Sequence, residues 1–115
     1  MSKFEDNVYK ALVELFPLSK VYRQHTVRYS NRVLYFDFFI KSIGLYIECQ
    51  GEQHYKFNRF FHGTIMNFND SVHRDRLKEK YVSEHGATLI QLRYKEHKDI
   101  TSEELIEEIL NGFKD

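Results

Sequence analysis

Apolar residues follow two rhythms along the chain. Phe4, Val8, Ala11, Leu12 and Leu15 recur at helical spacing, which predicts a helix over residues 3–16 that ends at Pro17. Val21–Val27 alternates instead, with Val21, Arg23, His25 and Val27 set against Tyr22, Gln24 and Thr26, and reads as a more exposed strand. Arg28, Ser30, Asn31 and Arg32 form a polar turn before two denser apolar runs, Val33–Ile40 and Gly44–Gln50. Alternation puts Val33, Tyr35, Asp37 and Phe39 on one face of the first run and Leu34, Phe36, Phe38 and Ile40 on the other. In the second run Gly44, Tyr46, Glu48 and Gln50 oppose Leu45, Ile47 and Cys49.

Beyond Tyr55 the rhythm lapses. Lys56–Asn69 mixes Phe57, Phe60 and Phe61 with Lys56, Arg59 and His62, and reads as a long loop of the kind that usually has a function. Helical spacing returns over Asp70–His85, with Val72, Leu77, Tyr81 and Val82 inward and Gly86 as the stop. Ala87–Tyr94 alternates as a strand, with Leu89, Gln91 and Arg93 opposite Ile90 and Leu92. Thr101 caps a last helix, Glu104 takes the capping-box position, and Leu105, Ile106, Ile109, Leu110 and Phe113 form its apolar side.

The predicted order is helix, three strands, helix, strand, helix: one α/β domain over residues 1–115, with a mixed sheet. The three strands form an antiparallel meander, and the crossover helix allows the last strand to run parallel. A chain of 115 residues is long enough for one core and short for two. The single cysteine precludes an internal disulfide and fits a reducing compartment. With no signal-like or membrane-spanning apolar run, the expectation is a soluble cytoplasmic protein with no membrane partner. The net charge is zero, yet Lys20–Lys80 holds eleven Lys and Arg against six Asp and Glu, whereas Lys95–Asp115 holds three against seven. A basic middle segment keeps phosphate binding open.

Asp37 and Glu48 stand out against that apolar background, because buried strands seldom carry a charge without a partner or a metal. A tight turn at Ser42-Ile43, eased by Gly44, makes a hairpin in which positions whose numbers add to about 85 lie opposite one another. On that register the two acids are cross-strand neighbours, with Cβ atoms roughly 4.5–5.5 Å apart. Two oxygen donors that close, with Gln50 two residues along, suit a hard divalent cation such as Mg²⁺. Glu5 stands in the first helix beside the core stripe, where it can border the sheet or simply complement the helix dipole.

The element order, together with Phe36-Asp37-Phe38, Ile47-Glu48-Cys49-Gln50-Gly51, His54, Asp75, Lys78, Gly86 and Gln91-Leu92-Arg93-Tyr94, resembles the PD-(D/E)XK nuclease superfamily. The closer similarity is to its very-short-patch-repair-like branch, which includes phage and intron-borne homing endonucleases. The resemblance spans Glu5 to Tyr94 and departs from the superfamily at Gln50, which stands where a lysine is usual.

It implies a restriction-endonuclease-like core of order αβββαβα and a Mg²⁺-dependent deoxyribonuclease, with Mn²⁺ as a substitute ion. It further implies a Glu–Asp–His–Asp set of Glu5, Asp37, His54 and Asp75; Glu48 and Gln50 join these as catalytic candidates, and Asp37, Glu48 and the Cys49 carbonyl are expected to hold the metal. His54 would act as general base or polarise the water, and Lys56, Arg59, Arg74, Arg76 and Lys78 would grip DNA. A chain this small offers little surface for reading a long site, so the expected partners are DNA with a second copy or a separate recognition protein. A phage-borne enzyme would work in the host cytoplasm. The alternatives are a catalytically inactive DNA-binding relative, structural bridges from the two acids to Arg23 or Lys41, and a zinc site of Cys49, His54, His62 and His73.

Overall fold

The computed structural model describes residues 2–51 and 65–114, with side chains of the second stretch from Asn69 onward. Ser2 starts helix α1 (Lys3–Leu15) by accepting a hydrogen bond from the Glu5 amide at 3.2 Å. Strands β1 (Tyr22–Tyr29), β2 (Arg32–Ile40) and β3 (Leu45–Gln50) form the antiparallel meander. A 3₁₀ turn over Lys41–Ile43 joins β2 to β3 and closes on Gly44, whose φ of 60° is the left-handed region that favours glycine. The connection is therefore longer than a tight turn centred on Ser42-Ile43, yet the predicted register holds: Phe38 faces Ile47, Phe39 faces Tyr46 and Ile40 faces Leu45.

Helix α2 (Ile65–Glu84) crosses back to β4 (Thr88–Arg93), which pairs parallel to β3 and completes a four-stranded mixed sheet of order β1-β2-β3-β4. The helix begins at Ile65, so residues 65–69 are not loop. Once a helix is nucleated, each added residue gains a hydrogen bond without paying for nucleation again, and no apolar stripe is needed. Its end is as predicted. Gly86 has φ 64°, its amide donates to the Ser83 carbonyl at 3.1 Å and the Ala87 amide to the Val82 carbonyl at 3.0 Å. A one-turn helix α3 (Tyr94–His97) leads to α4 (Ser102–Phe113), capped by Thr101, whose hydroxyl accepts from the Glu104 amide at 3.3 Å.

Two apolar clusters cover the two faces of the sheet. One joins Phe4, Val8, Ala11 and Leu12 of α1 and Leu105 and Ile109 of α4 to Phe38, Ile40, Leu45, Ile47, Ile90 and Leu92. The other sets Val82, Leu77 and Tyr81 of α2 against Leu34, Phe36, Tyr46, Phe39 and Leu89. Each fully buried Leu or Phe contributes on the order of 1.5–3 kcal/mol.

Strict alternation fails in β2, where Leu34 and Phe36 face α2 while Phe38 and Ile40 face α1 and α4. The cause lies at one rung. Arg23 pairs with Phe38 and His25 with Phe36, but Gln24 and Asp37 between them do not pair, and Gln24 has φ 51°. A left-handed residue inside a strand turns the chain so that the pleat resumes out of phase. His25 accordingly lies with Phe39, their ring centroids 4.6 Å apart, while Arg23 lies over the Tyr9 ring on the opposite face.

Candidate functional site

Asp37 and Glu48 sit where the hairpin opens. Among the described residues no rung joins β2 to β3 beyond Phe38 and Ile47, while β3 continues beside β4 as far as Gln50 and Arg93. The strands thus fork, and the side chains of Asp37 and Glu48 fill the crotch within hydrogen-bonding reach of each other. The Cys49 amide, which points toward the departing strand, donates to Asp37 Oδ2 at 2.7 Å. A carboxylate here does what a strand carbonyl would otherwise do.

Glu48 is 9% exposed, and Lys78 of α2 donates to its Oε1 from 2.5 Å. Burial lifts the Glu48 carboxyl to about 8, with Lys78 drawing it down and the neighbouring Asp37 adding to the rise. Burial outweighs the single cation, so near neutral pH the acid pair shares a proton as readily as it accepts a further positive charge. The Cys49 thiol is pushed far up, by burial first and then by the charges of Asp37, Glu5 and Glu48. Among the described residues no three His, Cys, Asp or Glu side chains cluster as a metal cage.

The remaining candidates fall into place around the fork or away from it. Glu5 accepts from Gln24 Nε2 and from Ser2 Oγ, both at 3.1 Å, and its charge reaches Cys49. It thus holds the hydroxyl of the capping Ser2 and also borders the sheet, through the residue that breaks the pleat. Asp75 precedes Lys78 by one helical turn, and Gln50 follows Glu48 by two strand positions, so both lie beyond the Lys78–Glu48 contact in the direction in which β3 leaves β2.

Arg74 is held by Asp70 at 2.8 Å, as is Arg32 at 2.7 Å, so one carboxylate is shared by two guanidiniums and the cluster keeps a net positive charge. Arg76 is exposed. Arg23 bridges to Asp6 at 3.2 Å. His54, Lys56 and Arg59 lie outside the described residues.

Two residues at the fork make contacts that the sequence does not announce. Lys78, a candidate for gripping phosphate, lies against Glu48. Gln24 gave no signal, because nothing in a glutamine announces a left-handed backbone.

A mixed α/β domain with a buried Glu48, a half-buried Asp37 and an adjacent lysine at a strand fork is what these residues build. No family model and no solved structure matches the chain. It is similar to uncharacterized protein 033L of Invertebrate iridescent virus 3, with 41% identity over 58 residues, 50% of this chain and 30% of that protein. It is also similar to uncharacterized protein 307L of Invertebrate iridescent virus 6, with 34% identity over 64 residues, 56% of this chain and 32% of that protein. The chain thus spans about a third of the length of the curated relatives it matches.

Proposed function

We propose that the chain is a metal-dependent endonuclease that hydrolyses phosphodiester bonds in DNA, on a restriction-endonuclease-like core. The observation that carries this reading is the pairing of Asp37 with Glu48 at the point where β2 and β3 part, with the Lys78 ammonium at 2.5 Å. Two carboxylates placed in contact at a buried position cost stability unless a positive charge joins them. A fold that keeps them there has a use for that charge.

The donors fit Mg²⁺. This ion takes one or two carboxylates and completes its shell with water, which Asp37 and Glu48 can satisfy. Asp37 and Glu48 would hold it, with the Cys49 carbonyl as a further oxygen. When bound, such an ion supplies positive charge at the phosphoryl oxygens and lowers the pKa of a neighbouring water.

The chain's own residues do the rest. Lys78, released from Glu48, donates to a phosphoryl oxygen and takes the part that Gln50 cannot take in place of a lysine. Gln50 orients the attacking water, and His54 accepts its proton. Glu5 steadies the fork through Gln24.

A second reading keeps the fold and its DNA contacts without chemistry. The Lys78–Glu48 bridge favours it, since it neutralises one acid with no metal. Supercoiled-plasmid nicking in Mg²⁺ or Mn²⁺ separates the two. The expected result is nicking by the wild type that slows by about 100-fold or more in Asp37→Asn and in Glu48→Gln. Plasmid binding with no nicking under any divalent ion would establish the second reading.

A further inference from the structure

The β1–β2 hairpin extends beyond the sheet as a two-stranded ribbon. Residues Arg32–Phe36 pair with His25–Tyr29, and among the described residues they have no partner in β3. Ser30 and Asn31, with φ of 52° and 61°, close it in the two-residue turn whose twist matches the strands. One face is fastened to α2. Val27, Leu34 and Phe36 join the second cluster, and the Tyr29 hydroxyl donates to Glu84 at 2.7 Å. Among the described residues nothing packs on the other face: Thr26 and Arg28 are exposed, as are their cross-strand partners Tyr35, at 56%, and Val33, at 42%.

A sheet face that carries an exposed tyrosine and valine without cover calls for an occupant. Charge indicates which one. Between Lys20 and Phe36 there are four basic residues and no acid. Arg23 and Arg32 are bridged to Asp6 and Asp70, whereas Arg28 makes no ion pair among the described residues. The bare face therefore presents an unneutralised guanidinium beside an aromatic ring, which suits a phosphate backbone with its sugars and bases.

We propose that this ribbon face is a nucleic-acid docking surface, with Arg28 on phosphate oxygens and Tyr35 against a sugar or base. Its position relative to cleavage rests on the nuclease reading, but its affinity does not. Tyr35 stands two strand positions from Asp37, roughly 7 Å, or about two nucleotide rises, and Arg28 reaches about two rises further. DNA recognition thus extends beyond α2, where Arg74 and Lys78 make ion pairs within the fold, to the ribbon.

The test is fluorescence polarisation of the full chain carrying Asp37→Asn, with labelled single-stranded and duplex oligonucleotides, in parallel with nicking by the same changes in the wild-type background. Arg28→Glu is expected to weaken binding about tenfold or more and to lower the salt slope by about one ion. Tyr35→Ala is expected to weaken it about fivefold or more, while Lys10→Glu, an equal charge change on the far side of α1, leaves it within twofold.

Wild-type affinity in Arg28→Glu, or an equal loss in Lys10→Glu, overturns the proposal. If Tyr35→Ala instead converts a dimer to a monomer in sedimentation with DNA affinity intact, the face joins two copies and the proposal falls. Arg28-dependent binding without nicking removes the nuclease reading and leaves the docking surface standing. Nicking together with wild-type affinity in Arg28→Glu does the reverse.

Discussion

The two halves of the β2–β3 hairpin are made of the same kind of strand and do opposite things. In the closed half, Phe38, Ile40, Leu45 and Ile47 are fully buried, and three rungs tie the strands together. In the open half, one or two residues away, the rungs stop and two carboxylates occupy the gap. The closed half holds itself by burial and backbone pairing. The open half is held by what surrounds it: the parallel ladder to β4 on one side, Lys78 above, and the Cys49 amide on Asp37. A site can sit in a small core when its neighbours carry the stability that the site itself gives up.

Substitutions should expose that division. Phe38→Ala empties a fully buried position and should cost about 3–5 kcal/mol in chemical denaturation. A loss under 1 kcal/mol would mean that the closed half is not the stabilising one.

At the fork two effects oppose in Glu48→Gln. It removes a charge beside Asp37 but leaves the Lys78 ammonium facing a neutral amide, so metal-free stability should change by no more than about 1 kcal/mol while nicking is abolished. Lys78→Met takes away the cation that Glu48 has, and should cost roughly 1–3 kcal/mol at pH 9 and less at pH 6, where Glu48 carries its own proton. An equal cost at both pH values would break the link between the two.

The pH profile follows from the same group. Glu48 titrates near 8 in the fold and near the ordinary carboxylate value of 4.5 when unfolded, so between those values the folded state holds the extra proton. Its contribution to metal-free stability is complete below about 4.5 and is lost as pH rises through about 8. Melting temperature should fall over that window in the wild type and not in Glu48→Gln. The smallest effect belongs to Tyr35→Ala, which should change stability by no more than about 0.5 kcal/mol, because the ribbon's bare face packs against nothing described. A larger loss would show that this face is covered.

Much of the closed half was legible in the sequence, and the open half only in part. Helical and alternating periods located α1, the strands and α4, and Gly86 and Thr101 marked their helix ends because capping is local chemistry. The cross-strand register was readable because a short connection leaves few alternatives. The division of β2 between two faces was not readable, since it depends on a left-handed glutamine in the neighbouring strand. Nor did the sequence show that Lys78 reaches Glu48, because that contact depends on how α2 lies across the sheet. It also left Arg28 in a turn, where pairing to Val33 instead puts it on the ribbon.

The central claim is that Asp37 and Glu48 together bind a divalent cation. Titration of Mg²⁺ and Mn²⁺ into the wild type and Asp37→Asn, read by calorimetry and by melting temperature, tests it most directly. The wild type should take up one ion per chain at neutral pH and melt progressively higher as the ion is added, and Asp37→Asn should do neither. Equal uptake by both proteins, or a wild-type melting temperature that ignores the metal, would contradict it.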